Sequence, residues 1–325
     1  MADPQIISNL ADVGNLFNEI NAELKEAPYS TSLIAPKIAW IRTGRTGLTT
    51  TFSLQMVSNA YNKRRPGVPT PARKVELAHF KCEVAELDPD AYFLTDLDLE
   101  GDVYGLISPN LPQVLNRAML SLDQELAALI CGNSVNVYDG LAHWQTAANH
   151  FYNPHRAAVG KFANKFTGSN LTRANITKGL DYFALMKGFD GKLERKPGSI
   201  YLIVSTKDQE TRARKFLQEG IIASDAGTAS ESTALRGEVA EVLVFPELGD
   251  TTIGGDPKNW MMCRVASEMD RPFVINAPRP PMAYIDGLSP SDYTRVVLRG
   301  LRYGWRAILG AGFLWPQNAC MFVES

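Results

Sequence analysis

Three histidines, His143, His150 and His155, fall within thirteen residues, a density that could supply zinc ligands. Their intervals match neither a metalloprotease helix nor a zinc finger, and no His-Glu-x-x-His occurs, so they read as loop histidines. Gly44-Arg-Thr-Gly47-Leu-Thr-Thr50 has the look of a phosphate loop. It lacks the Gly-Lys-Ser/Thr ending that places a lysine on the phosphates, and no buried strand runs directly into a helix there. Cys82, Cys131, Cys263 and Cys320 are far apart with no Cys-x-x-Cys pair. That spacing fits reduced thiols better than a disulfide framework or a zinc site, and none sits in a catalytic context. There is no Gly-x-Ser-x-Gly elbow. Lys63-Arg64-Arg65 could grip nucleic acid, but three bases on a proline-rich tip read as a solvated turn. No enzymatic activity, cofactor or metal is expected.

Composition agrees with a folded chain that makes its living by packing. Of 325 residues, 45% are hydrophobic and 21% charged, which places the chain among globular proteins and is enough for one large or two ordinary domains. The net charge of -2 gives no global case for binding nucleic acid. Asp3 and Pro4 stand where a signal peptide would be basic, so none is expected. No apolar run approaches the ~20 residues that cross a bilayer. Asn170-Leu-Thr172 and Asn175-Ile-Thr177 then read as chance glycosylation patterns.

The elements begin with a helical period at Ile7, Leu10, Val13, Leu16, Phe17, Ile20 and Leu24. This helix is either an arm that docks on a neighbour or a first helix packed on its own domain. Phe52, Leu54 and Met56 alternate with polar residues, as do Val75 with Leu77 and Phe80 with Cys82 and Val84. The phase slip between Leu77 and Phe80 predicts a bulge. Between the two strands, residues 59–73 hold Lys63-Arg64-Arg65, Pro66, Pro69 and Pro71. This is a two-stranded arm with a stiff polar tip, and a lone hairpin must lie on something else to be stable. Residues 37–81 carry nine Lys or Arg and one acid, Glu76, whereas residues 86–102 carry seven acids and no base. The two blocks suit a head-to-tail contact between subunits; the other reading is two solvated faces that never meet.

The clearest helix is expected over 110–131. Asn110 serves as N-cap, Pro112 sits in the first turn and Gly132 stops the helix; Leu115, Ala118, Met119, Leu122, Leu126, Leu129 and Ile130 lie in its apolar stripe. A loop-rich segment follows. Thr172 can cap a helix with Ile176, Leu180, Phe183 and Ala184 on its inner face. Ile200-Tyr-Leu-Ile-Val204 reads as a buried strand, and Thr206-x-x-Gln209 as a capping box. Residues 220–237 look like a mobile loop. Strands are expected over 239–245 and 260–266 and around 271–275, 282–285 and 293–299, before a glycine and aromatic stretch over 303–315. Helices and strands mix without βαβ alternation, so the fold class is α+β.

Four runs carry a resemblance: Tyr104-Gly105-Leu106-Ile107-Ser108-Pro109; Tyr138-Asp-Gly-Leu-Ala-His-Trp-Gln-Thr-Ala-Ala-Asn-His150; Asn170-Leu-Thr-Arg-Ala-Asn175; and Arg299-Gly-Leu-Arg-Tyr-Gly-Trp305. In this order they resemble the major capsid proteins of tailed phages with the Hong Kong 97 fold, most closely the Mu-like major head subunit family. The acidic stretch and the tail over 314–325 depart from that family. The resemblance implies an N-terminal arm over 1–38, an extended loop over 39–85, and a peripheral domain over 86–170 with its spine helix at 110–131. It further implies an axial domain over 171–270, return strands of the peripheral domain over 271–300, and an axial C-terminal segment over 301–325.

The implied function is that of a shell subunit. Many copies, as hexamers and pentamers, would close an icosahedral head around double-stranded DNA held without sequence-specific binding. Portal, scaffold and decoration proteins are candidate partners, and no membrane is. The place of work would be the virion, assembled in the host cytoplasm. Candidate inter-subunit contacts are Arg42, Arg45, Lys63, Arg64, Arg65 and Lys74 against Asp96, Asp98 and Glu100. The alternatives are the shell of an encapsulin-like nanocompartment and a soluble α+β enzyme with an unfamiliar site.

Overall fold

The computed structural model describes residues 10–26, 32–44, 49–56, 75–88, 91–95, 107–194, 197–218, 221–223, 230–232, 235, 237–289 and 291–324. The chain opens with helix α1 (Leu10–Glu26), a short helical turn α2 (Ala35–Ile38) and strand β1 (Ala39–Thr43). Strands β2 (Thr49–Gln55) and β3 (Leu77–Glu83) form a hairpin, followed by β4 (Ala85–Leu87) and β5 (Tyr92–Thr95). Helix α3 (Ile107–Gly132) precedes the small strands β6 (His150–Phe151), β7 (Lys161–Phe162) and β8 (Lys165–Thr167). Helix α4 (Arg173–Ala184), strand β9 (Ser199–Val204) and helix α5 (Lys207–Gln218) come next. The chain ends with β10 (Ile221–Ala223), β11 (Ser230–Ser232), β12 (Glu241–Val244), β13 (Trp260–Val265), β14 (Phe273–Asp286), α6 (Tyr293–Leu298), β15 (Gly300–Phe313) and β16 (Ala319–Val323).

Two sheets organise these elements. The first runs β1-β14-β15-β4, with β5 also on β15; the second runs β12-β9-β13-β16-β8. Helix α3 is 26 residues, about 39 Å at 1.5 Å per residue. Its Leu122, Leu126 and Ile130 bury into one cluster with Phe273, Ile275 and Leu309 of the first sheet and Ile203, Leu243 and Met261 of the second. The helix therefore joins the two layers. It starts at Ile107, one turn before the expected Asn110 cap. Pro109 is tolerated in that first turn, where N–H groups have no partner within the helix.

The outer face of the second sheet is covered by α4 and α5. Thr172 caps α4 by accepting the Asn175 N–H at 3.3 Å. The Thr206–Gln209 capping box also forms, the Gln209 N–H donating to Thr206 Oγ1 at 3.2 Å and the Thr206 N–H to Gln209 Oε1 at 3.3 Å. Trp260 and Phe322 stack 3.9 Å apart beneath α4. A Cβ on Gly179 would lie 2.4 Å from Met262 Sδ, so glycine lets α4 approach the sheet.

Strand β15 explains the glycine and aromatic stretch by its period of two. Leu301, Tyr303, Ala307, Leu309 and Phe313 face α1 and α3. Gly310 and Gly312 face the opposite side, against β3. Helix α1 buries Phe17, Ile20 and Leu24 with Ala118, Ala283, Leu301 and Tyr303. Asn21 fastens it, Nδ2 donating to the Ala283 carbonyl at 3.0 Å and Oδ1 accepting the Ala283 N–H at 2.8 Å. Of the two readings of this helix, it packs on its own chain.

Several expectations differ from the structure. The slip at Leu77–Phe80 is not a bulge: β3 pairs with β2 in unbroken register, Ala78, Phe80 and Cys82 point inward, and Val75 and Leu77 are exposed. Irregularity falls instead in β14, between Asn276 and Met282, where Pro278, Pro280 and Pro281 have no N–H for the ladder. The expected strand over 293–299 is helix α6. Asp292 turns the chain before it by accepting the Gly287 and Ser289 N–H groups, both at 3.1 Å. The segment 301–325 is divided: β15 belongs to the first sheet, and β16 pairs with β13 and β8 in the second. Strand β8 joins the second sheet by pairing with β16. Within 220–237, β10 and β11 pair as a small hairpin.

Candidate assembly surfaces

The β2–β3 hairpin crosses the face of the first sheet opposite α3. Its inner residues Met56, Ala78, Phe80 and Cys82 pack with Phe189, Val274, Leu314 and Trp315. Phe80 meets the Trp315 ring edge-on at 4.9 Å, and Tyr138 sits 6.1 Å from Phe80 and 5.7 Å from Trp315. The backbones touch at β15: Cys82 Sγ–H donates to the Gly310 carbonyl at 3.2 Å. Burial pushes the Cys82 thiol up to about 11, and Cys131 likewise to about 11. All four cysteines are free thiols, as their spacing suggested.

The histidines have structural places. His143, in the loop before β6, and His150, in β6, are fully buried, and His155 lies at the surface beside the hairpin. The His143 ring stacks 4.1 Å from Phe313 and meets Trp144 edge-on at 4.3 Å. Its nitrogens have no hydrogen-bond partner, and burial, helped by His150, holds its pKa well below the usual histidine range. His150 Nδ1 lies 2.8 Å from Asp139 Oδ2, and Nε2 lies 2.8 Å from the His143 carbonyl. Asp139 also accepts the N–H groups of Phe151 at 3.1 Å and Leu141 at 3.2 Å. These bonds tie residues 138–151 into a compact platform under the hairpin. Trp144 Nε1–H donates to the Ile130 carbonyl at 2.9 Å and satisfies the end of α3. Among the described residues no cluster of three or more His, Cys, Asp or Glu could hold a metal ion, and no helix is long and apolar enough to cross a membrane. Gly44 follows β1, and the next described element is β2, a strand.

Of the expected charged contacts, Arg42 is described. It lies in β1, partly buried, with its guanidinium 5.1 Å over the Trp40 ring. Arg45, Lys63, Arg64, Arg65, Lys74, Asp96, Asp98 and Glu100 lie outside the described residues. Two other bases of residues 37–81 have partners within the chain: Lys37 Nζ bonds Glu241 at 2.9 Å, and Lys81 pairs with Glu83.

An apolar surface that the sequence reading passed over lies at the β14–β15 turn. In α6, Tyr293 is 71% exposed and Val296 61%, with Val297 and Leu298 exposed beside them. The exposed Tyr92 and Phe93 of β5 lie alongside, since β5 pairs with the first residues of β15. Phe93 leans over Gly300, where an added Cβ would come within 2.8 Å of its ring. Reading 293–299 as a strand hid this patch. Ser289-Pro-Ser-Asp292 was the helix-start signal that could have revealed it.

No family model and no curated protein matches the chain. Solved structures do. The chain superposes on the capsid of cyanophage P-SCSP1u with a TM-score of 0.54 at 12% identity, covering 88% of this chain and 86% of that one. It matches the capsid of a native GTA particle with a TM-score of 0.52 at 10% identity, covering 90% of each. It matches a Mycobacterium phage Patience chain with a TM-score of 0.52 at 13% identity, covering 96% of this chain and 88% of that one. The fold is therefore the α+β fold of Hong Kong 97-type capsid proteins, as the resemblance implied.

Proposed function

We propose that this chain is the major capsid protein of a tailed phage or a related particle, a shell subunit and not an enzyme. The observation that carries this reading is coverage: 86% or more of the chain and of each of these three chains, two of them from capsids, superposes. A subunit of this fold closes a shell by repeating heterologous contacts around symmetry axes, in hexamers and pentamers. Each copy is held by several neighbours at once, so interfaces of modest strength suffice. The hairpin crossing the first sheet and the apolar turn at α6 are the surfaces offered for those contacts. Residues 39–85 would be the extended loop, α3 the spine of a peripheral domain built on the first sheet, and the second sheet the axial domain. The four sequence runs support a place near the Mu-like head subunits.

Within this reading the shell encloses double-stranded DNA without reading its sequence, portal, scaffold and decoration proteins are the further partners, and assembly takes place in the host cytoplasm. Light scattering on purified protein tests the central point. Particles far above the 35.8 kDa monomer are expected. A monomer at every concentration and salt, with or without scaffold, overturns it.

A further inference from the structure

Glu76 is the one acid among the bases of residues 37–81, and both of its carboxylate oxygens are engaged. Oε2 accepts from Asn153 Nδ2 at 2.7 Å. Oε1 accepts from Arg156 Nε at 2.7 Å and lies 2.6 Å from its Nη2. The Glu76 carbonyl accepts the Met56 N–H at 2.9 Å, which carries the hairpin pairing one step beyond β2 and β3. His155 Nε2–H donates to the next carbonyl, that of Leu77, at 3.1 Å. All the donors outside the hairpin come from one turn. Its Arg156 N–H donates to the Asn153 carbonyl at 3.1 Å, and Pro154 fixes φ between them.

That turn is itself held down. Asn153 is 1% exposed, and its Nδ2 also donates to the Phe189 carbonyl at 3.1 Å. Phe189 packs 5.3 Å from Trp315 under the hairpin. Val75 and Leu77, on either side of Glu76, face outward and are 56% and 39% exposed, whereas Met56 and Ala78 beside it are buried. The polar clasp thus continues the buried face of the hairpin one residue further with hydrogen bonds.

We propose that Glu76 is a positioning residue: it latches the β2–β3 hairpin to the 153–156 turn of its own subunit and so sets the angle at which the hairpin meets neighbouring subunits. This rests on the shell reading above. An isolated exposed ion pair would contribute little. This one is joined to a buried amide and two backbone carbonyls, so its bonds break together or not at all. The Asn153 and Arg156 hydrogen bonds hold the Glu76 carboxyl below its usual value of 4.5. The latch is therefore closed above that value and opens as pH falls through the lowered one. Arg156 and His155, both on the turn, are the charged or titratable groups facing it among the described residues.

Hydrogen exchange on the full-length protein tests this with Glu76→Ala, Arg156→Ala and the exchanged pair Glu76→Arg with Arg156→Glu. The single variants should speed exchange at Met56 and in β3 by about tenfold or more and leave β14 and β15 unchanged. The exchanged pair should recover part of the protection, that of the ion pair, because an arginine at this position cannot accept from Asn153 Nδ2, and the single variants should give shells of altered yield or diameter. Unchanged exchange in the hairpin overturns the latch. So does acceleration spread equally over β14 and β15, which would make Glu76 a general stability residue, and so do wild-type shells from Glu76→Ala. If the wild-type protein forms no shells at all, the shell reading fails, and the exchange comparison still decides whether the latch exists.

Discussion

Gly310 is where the hairpin and the first sheet come closest. A Cβ built there would lie 1.9 Å from the Glu83 carbonyl oxygen and 2.9 Å from Val84 Cα. Both are backbone atoms, so no side chain can swing aside. Gly310→Ala must therefore move the end of β3 by more than about 1 Å to restore ordinary contact. Overpacking of this kind costs about 1–3 kcal/mol. The shift also strains the Cys82 thiol bond to the Gly310 carbonyl. Neighbouring glycines supply a graded series. At Gly312 the nearest atoms are Cys82 Cβ and the Lys81 carbonyl oxygen, both at 3.1 Å; at Gly304 they belong to the Tyr284 ring, at 3.3 Å and beyond. Alanine should then be tolerated at 304, mildly harmful at 312 and worst at 310. Thermal unfolding of the unassembled subunit reads the order, at about 2–4 °C per kcal/mol for chains of somewhat smaller size. In the proposed shell, yield should follow the same order, because the displaced strand would be the one presented to neighbours. A Gly310→Ala subunit as stable as wild type, or one less affected than Gly304→Ala, would refute the placement of the hairpin on β15.

Other outcomes follow from other surfaces. Asp139→Ala leaves the buried His150 ring and two part-buried backbone N–H groups without their acceptor, so denaturant unfolding should register a loss of at least about 1–3 kcal/mol; a loss below about 1 kcal/mol contradicts the role given to this pair. Val296→Lys with Val297→Lys should leave the melting temperature of the subunit unchanged and cut shell yield in sedimentation, since both side chains are exposed; normal yield would remove α6 from the assembly surface. Reversing Arg45 and Lys74 to Glu should slow assembly in light scattering most at low salt, because exposed pairs are worth about 0–1 kcal/mol each and are screened; normal assembly at low salt defeats the charge pairing. Arg42 is left out of that set because it is partly buried over Trp40.

Local chemistry was the legible part of the sequence. The cap at Thr172, the box at Thr206–Gln209 and the apolar run of β9 depend on neighbours a few residues away, and each formed where expected. The α3 stripe was read correctly over its buried half, from Ala118 to Ile130. What could not be read was set by distant partners. Strands β8 and β16 are short; β16 joins the second sheet through β13, and β8 joins it through β16, far along the chain. The Leu77–Phe80 slip misled because exposed Val75 and Leu77 are as apolar as the buried set. Segment 293–299 misled because a short apolar run such as Val296-Val297-Leu298 does not separate a strand from an exposed helix. The burial of His143 and His150 had no local signal, whereas the isolation of Glu76 among bases did.

The most direct measurement is electron microscopy of the purified full-length protein under assembly conditions, with reconstruction of any particles. Closed icosahedral shells are expected, in which the first sheet and α3 lie toward the subunit boundary, α6 meets a neighbouring copy, and the β2–β3 hairpin reaches over an adjacent subunit. A uniform monomer in every condition tested, or an assembly in which neither the hairpin nor α6 touches another subunit, would contradict it.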